Sequence, residues 1–267
     1  MGNLMLFLCL HFVMLSILAE EQRDSNVELN HMQFGSFIDP SSLSEPAVAE
    51  GPLLHSEVTM LSNSTQMGGP LRFAVDHFAN EQQCRDLTEF ALNAGVLGDG
   101  YSGKASPNTE HELFQGLSIY TATELAIKGK VPVKVAALYF DLSEQVRQQV
   151  KLYFKLEELY PHYTHLVCRT SITNQTDRSD LSLPIHADNC NLQPNGSCLK
   201  HQNSLYWRDY SAILYLNEDF NGGEFIMADS NAEKITMHMK PKCGRLAGFC
   251  SGKQCSHGIK PITKGSR

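Results

Sequence analysis

The spacing of apolar positions changes several times along this chain, and each change predicts a different element. Residues 1–19, MGNLMLFLCLHFVMLSILA, are almost continuously apolar and end in a small residue before Glu20-Glu21. That is the pattern of a secretory signal cleaved near Ala19, with a signal anchor as the alternative, because the run lacks a basic start. Residues 20–69 have only scattered apolar positions among Ser, Glu and Pro (PSSLSEPAVAEGP), which predicts a linker with no core of its own. The folded domain is expected to occupy residues 70–267. RFAVDHF predicts a short strand. Asn80 and Gln83 form a capping box, and Cys84, Leu87, Ala91 and Ala94 then recur at helical spacing up to Gly95. The Gly-rich GDGYSGKASPN lacks the spacing of a phosphate loop and reads as a structural turn. Leu113–Lys130 predicts a second helix, stopped by Gly129 and Pro132. A capping box at Asp141–Glu144 predicts a third, running to about Tyr160, with Val146, Val150, Tyr153 and Phe154 as its apolar stripe.

From Tyr163 onward the period shortens to two. YTHLVCRT and KITMHMK alternate, and His238 falls on the polar side of the second as a solvated residue. LPIHAD is a strand edge. SAILYLN is uniformly apolar and predicts a strand buried on both faces. Asn221-Gly222-Gly223 is a turn signal, with EFIMA returning as the hairpin partner of SAILYLN. RLAGFCS and GIKPI supply further strands. Many short strands behind three helices predict an α+β fold: a double-stranded β-helix, or jelly roll, buttressed by N-terminal helices.

Composition adds little beyond exclusions. A net charge of −7 and a pI near 5.9, with no basic run, argue against a nucleic-acid partner. No internal repeat is evident.

The chemistry is concentrated in the last third of the chain. Residues i and i+2 of a strand face the same side, so His186 and Asp188 can aim at one point. A second imidazole from a distant strand, His257, would complete a 2-His-1-carboxylate facial triad, which suits a non-haem Fe(II) with open positions. Arg267 lies ten residues beyond His257, room for a turn and a return strand. Its guanidinium can clamp the far carboxylate of a dicarboxylate cosubstrate. His55-x-Glu57 repeats the dipeptide spacing by chance within the linker.

The segments GDGYSGKASPNT, YTHLVCRT, HADNC, RDYSAILYLNEDFNGGEF, KPKCGR and HGIKPITKGSR occur in this order between residues 98 and 267. In that order they resemble the leprecan group, the collagen prolyl 3-hydroxylases. The resemblance implies an Fe(II)- and 2-oxoglutarate-dependent dioxygenase with iron on His186, Asp188 and His257. It places 2-oxoglutarate on Arg267, with Tyr215 as a further contact, and implies L-ascorbate as reductant. It also implies collagen or procollagen chains as substrate, collagen chaperones as partners and the endoplasmic reticulum as the compartment. Members of the group continue beyond the position of Arg267 and commonly end in a retention tetrapeptide. The resemblance therefore also predicts that the strand bearing Arg267 frays and that its terminal carboxylate pairs with its own guanidinium.

The cysteines fit an oxidising compartment. Cys190 and Cys198 flank a QPNGS turn as a local disulfide; Cys243, Cys250 and Cys255 supply another pair; Cys84, on a helical apolar face, reads as a buried thiol. Glycosylation sequons stand at Asn63, Asn174 and Asn195. Two other classes remain open: a zinc- or disulfide-stapled module built on Cys243, Cys250, Cys255 and His257, and a collagen-binding relative of the same fold without turnover.

Overall fold

The computed structural model describes residues 59–60, 67–98, 106–172, 177–200 and 205–267. The signal segment, most of the linker, the centre of the Gly-rich loop and the sequons at Asn63 and Asn174 lie outside the described residues.

Two four-stranded antiparallel sheets face each other. The first has the order β1-β2-β13-β9, formed by Thr59–Met60, Arg72–Asp76, Leu246–Cys250 and Tyr210–Leu214. The second has the order β12-β11-β14-β6, formed by Ile235–Met239, Phe225–Ala228, His257–Ile259 and Leu183–His186. A third sheet joins β3 (Val96–Leu97), β4 (Glu112–Ser118) and β5 (His165–Ser171). Two small ladders pair β7 (Asn191–Leu192) with β8 (Cys198–Leu199), and β10 (Asn221–Gly222) with β15 (Ile262–Lys264). The helices are α1 (Glu81–Ala94), α2 (Ile119–Ile127) and α3 (Val133–Tyr153).

Strand alternation divides the apolar residues between two cores. Ala74, Ile213, Ala247 and Phe249 of the first sheet meet Phe225, Met227, Met237 and Met239 of the second, filling the space between the sheets. Phe73, Val75, Ala212, Leu214 and Leu246 point the other way, against Val146, Val150, Tyr153 and Phe154 around α3. The helices thus buttress the outer face of the first sheet. Gly248 sits where this outer packing is tightest. It pairs with Phe73 across the β2–β13 ladder, and a Cβ on it would lie 2.3 Å from the Phe73 ring. The ring is fully buried and its centroid is 4.4 Å from that of Tyr153, so it has little room to yield. Gly248→Ala is expected to destabilise the fold by about 1–3 kcal/mol, as overpacking does, despite alanine's better strand propensity. Chemical denaturation measures it, and an unchanged midpoint would refute the packing argument.

Several expectations hold and several are corrected. The Asn80–Gln83 capping box is present in both directions, and α1 ends at Gly95. The helix expected over Leu113–Lys130 is divided: its first third belongs to β4, paired with β5 along its whole length, and Ser118 caps α2. Burial of alternate residues Glu112, Phe114 and Gly116 overrides the helical pattern. The capping box expected at Asp141 lies inside α3. The buried positions Ala136, Tyr139, Leu142 and Val150 run continuously through it, so packing extends the helix back to Pro132. Glu144 is instead engaged by Arg147 and Gln148. β9 is an edge strand, half-buried throughout rather than buried on both faces. It pairs with β13, not with EFIMA, which forms β11 between β12 and β14. The Gly222-Gly223 turn carries the chain from one sheet to the other. Both glycines have positive φ, and a Cβ on Gly222 would lie 2.0 Å from the Pro261 carbonyl oxygen.

Cys190–Cys198 is disulfide-bonded, and the second pair is Cys250–Cys255. Cys84 is not a thiol: it bonds Cys243 across 159 residues, a partner that local spacing could not indicate. Cys168 is free and buried.

Candidate metal centre

The register of the second sheet brings the two histidines together. His186 ends β6, His257 begins β14, and the two are direct partners across that ladder. Their ring centroids are 4.5 Å apart. Asp188 follows β6 by one turn of loop, held by backbone N–H groups of Asp188 and Asn189 donating to the Ser251 carbonyl at 3.0 and 3.1 Å. Its Oδ1 lies 3.3 Å from His186 Nε2 and 3.9 Å from His257 Nε2. One ligand atom from each of the three lies within 4.8 Å of the others.

Each imidazole is oriented from behind. His186 Nδ1 is 2.8 Å from the Pro184 carbonyl, and His257 Nδ1 is 3.0 Å from the Cys255 carbonyl. A carbonyl only accepts, so each Nδ1 carries a proton and Nε2 is the ring nitrogen turned towards Asp188. The second carboxylate oxygen of Asp188 accepts from the Ser211 hydroxyl, and the Arg208 guanidinium is 3.7 Å from the first. Phe225 and Phe249 pack on the His257 ring at centroid distances of 5.3 and 4.6 Å, forming an apolar wall.

These surroundings polarise the three groups differently. Burial holds His257 down at about 4, keeping it neutral. Burial also opposes charge on His186, but its hydrogen bond to Asp188 and the carboxylate charge outweigh that and raise it. Burial works against ionised Asp188 too, yet the two histidines and Ser211 hold it well below the usual carboxylate range. An ionised carboxylate with two available imidazole Nε2 atoms is the donor set that suits Fe(II) or Zn(II), and its one-sided arrangement leaves room for further ligands.

Tyr215 and Arg267 meet at another part of the same interior. Tyr215 is buried in the inter-sheet core beside Phe225 and Phe249, and the Arg267 guanidinium lies 5.1 Å from its ring centre. Arg267 Nε and Nη2 and the Tyr215 hydroxyl are buried without a hydrogen-bond partner. Unpaired guanidinium donors in a dry interior are costly unless an anion completes them. A dicarboxylate would do so, which is the fit expected of 2-oxoglutarate. The chain end is also tied down rather than frayed: Arg267 and Arg169 exchange two backbone hydrogen bonds of 2.8 Å. Arg267 Nε and Nη2 are not hydrogen-bonded to the terminal carboxylate either. Gly223 makes room for this side chain, since a Cβ there would lie 2.9 Å from Arg267 Cδ. Cys243, Cys250 and Cys255 are all in disulfides, so the zinc form of the alternative module has no thiolate ligands among them.

The sequence gives no signal for the network behind β15. Glu112 of β4, with its side chain fully buried, accepts from Arg178, from Ser182 and from the Ile262 N–H. Arg178 also donates to the Ile262 carbonyl and to Asp180, locking the strand that leads to Arg267. Arg178 holds the Asp180 carboxyl well below its usual range. A carboxyl depressed on folding adds stability above its unfolded value, near ~3.9, and loses it as pH falls towards the folded value. Asp180→Asn is therefore expected to flatten the fall in stability below about pH 4. Denaturant midpoints across that range test it; an unaltered slope would refute it.

Residues 173–267 match the family described as the 2OG-Fe(II) oxygenase superfamily. That match covers the stretch carrying His186, Asp188, His257 and Arg267, which lies within the double-stranded β-helix described above. Over a longer stretch, the chain is similar to the prolyl 3-hydroxylases. It is 47% identical over 220 residues to human prolyl 3-hydroxylase 2, covering 81% of this chain and 31% of that protein. It is 41% identical over 220 residues to mouse prolyl 3-hydroxylase 1, covering 81% of this chain and 30% of that one. The chain thus spans about a third of the length of these relatives. Among solved structures, a prolyl hydroxylase from Trichoplax adhaerens, in complex with a hypoxia inducible factor oxygen degradation domain peptide, aligns at 14% identity. That match covers 74% of this chain and 81% of that one, with a TM-score of 0.43. Three disulfides among the described residues accord with an oxidising compartment. No helix among the described residues is long and apolar enough to cross a membrane.

Proposed function

We propose that this chain hydroxylates peptidyl proline at C3 in collagen-like sequence, within the endoplasmic reticulum, at an Fe(II) held by His186, Asp188 and His257. The observation that carries this reading is the pairing of two features in one interior: the open Nε2–carboxylate cluster and the Arg267 Nε and Nη2 that lack hydrogen-bond partners. Fe(II) with 2-oxoglutarate and dioxygen supplies C–H hydroxylation, releasing succinate and carbon dioxide.

The chain's own residues do the remainder. Asp188 stays ionised against its desolvation through the two histidines and its bond from Ser211, and brings negative charge to the metal position. The Pro184 and Cys255 carbonyls fix both imidazoles with Nε2 forward. Arg267 binds the far carboxylate of the cosubstrate, with the Tyr215 hydroxyl beside it. Phe225 and Phe249 keep that side dry, which strengthens each charge interaction. On the outer side, Trp207 and Tyr206 are exposed, with ring centroids 4.9 Å apart. They adjoin Arg208, whose carbonyl accepts from Asn189 beside the ligand loop. Flat aromatic faces at that place suit a proline-rich extended peptide, which presents its rings without ordering cost.

The test is succinate release with Fe(II), 2-oxoglutarate, ascorbate and a Gly-Pro-Hyp-type peptide. Peptide-stimulated succinate, with one oxygen atom gained at proline C3, is expected. An iron-loaded, folded chain that binds the peptide without turnover would replace this reading with that of a collagen-binding relative.

A further inference from the structure

We propose that the Cys250–Cys255 disulfide is a positioning element of the metal centre, setting metal affinity rather than merely stabilising the fold. The inference rests on the reading of His186, Asp188 and His257 as ligands. The pair joins the last residue of β13 to the end of a one-turn 3-10 helix, Lys253–Cys255, with Cα atoms 5.7 Å apart.

Both ends of the enclosed segment act on ligands. At the near end, the Ser251 carbonyl receives the backbone N–H groups of Asp188 and Asn189. The Ser251 hydroxyl lies 3.0 Å from that of Ser211, which donates to the Asp188 carboxylate. At the far end, the carbonyl of Cys255 itself receives His257 Nδ1–H. One short segment therefore places the main chain of one ligand and fixes the tautomer and ring direction of another. Strand pairing does not do this work. Ser256 is tied to β11 through the Ala228 N–H, so β14 keeps its place without the disulfide. The 3-10 helix keeps its own turn through Cys255 N–H to the Gly252 carbonyl at 2.9 Å. What the covalent link adds is the position of the Cys255 carbonyl relative to β13, and hence of His257 relative to Asp188. Cys255 is almost wholly buried, so this carbonyl is also shielded from water that could substitute for it.

The measurement is Co(II) affinity of the full chain by calorimetry and visible absorption, which needs no turnover. C250A/C255A is expected to bind Co(II) about 10–100-fold more weakly than the parent, the usual cost of losing an outer-shell partner. C84A/C243A removes a disulfide that touches no ligand; it is expected to lower the thermal midpoint and leave Co(II) affinity unchanged. A folded C250A/C255A variant with parental affinity overturns the inference. If that variant does not fold, the folded parent is reduced with a phosphine, which takes oxygen from water while the disulfide takes up two electrons and two protons. Alkylated sites are then located by mass spectrometry. Molecules alkylated at Cys250 and Cys255 are expected to show the same loss, and undiminished affinity in them overturns the inference. A parent chain that binds no Co(II) removes the iron-site reading first, and this inference with it.

Discussion

Asp188→Ala is expected to yield a folded protein that no longer takes up Fe(II) or Co(II) and releases no succinate. Asp188 is the one anionic donor of the cluster and lies within reach of both imidazole Nε2 atoms. Removing it leaves two neutral nitrogens, one of them in a deeply buried ring. The loss should exceed the about 10–100-fold typical of an outer-shell change, because a direct ligand is removed. The fold should survive for a separate reason. Asp188 is a largely buried carboxylate whose ionisation costs desolvation, and the backbone bonds of Asp188 and Asn189 to Ser251 do not depend on the side chain. His186 should respond as well: without the neighbouring charge and hydrogen bond, burial alone acts on it and its affinity for a proton falls. Calorimetric titration with Co(II), beside a thermal melt, separates the two effects. Retained metal uptake by a folded Asp188→Ala chain would sink the triad.

What the sequence made legible was what recurs at short range. His186 closes β6 with Asp188 two residues on in the following loop, Asn80 and Gln83 share a helix turn, and Cys190 and Cys198 flank one reverse turn. In each the partners lie close together along the chain. The order His-x-Asp, strands, His and Arg was also readable, because a jelly roll returns its strands to the same mouth. What could not be read depended on partners far along the chain. Cys84 finds Cys243 only after the sheets assemble. SAILYLN carries no mark that its neighbour is β13 rather than the adjacent EFIMA. Leu113–Lys130 satisfies a helical period, yet its first third is drawn into a ladder with β5 by burial of Glu112 and Phe114. Glu112 itself shows why polar hubs are missed. A lone glutamate in a strand looks solvent-facing until Arg178 and Ser182, some seventy residues on, close around it.

Arg267→Ala is expected to raise the 2-oxoglutarate concentration needed for half-saturation by about 100-fold while leaving Co(II) affinity in place. Arg267 contributes no metal ligand, and its backbone bonds to Arg169 persist in the variant. The guanidinium is buried, it lies against Tyr215, and its Nε and Nη2 lack partners. A charge-assisted hydrogen bond contributes about 1.5–3 kcal/mol, so losing a two-pronged clamp at a net cost of about 3 kcal/mol corresponds to about 100-fold. Arg267→Lys should fall between the two, because an ammonium restores the charge but not the planar fork that matches a carboxylate. Tyr215→Phe should have a smaller effect, removing one hydroxyl donor and keeping the ring beneath the guanidinium. The decisive comparison is the 2-oxoglutarate dependence of succinate release set against Co(II) binding in the same preparations. If both weaken together, the Arg267 strand is supporting the fold and not the cosubstrate. An unchanged 2-oxoglutarate requirement in Arg267→Ala would remove its clamp role altogether. A selective rise, partly reversed by lysine, is what a buried cation waiting for a carboxylate must give.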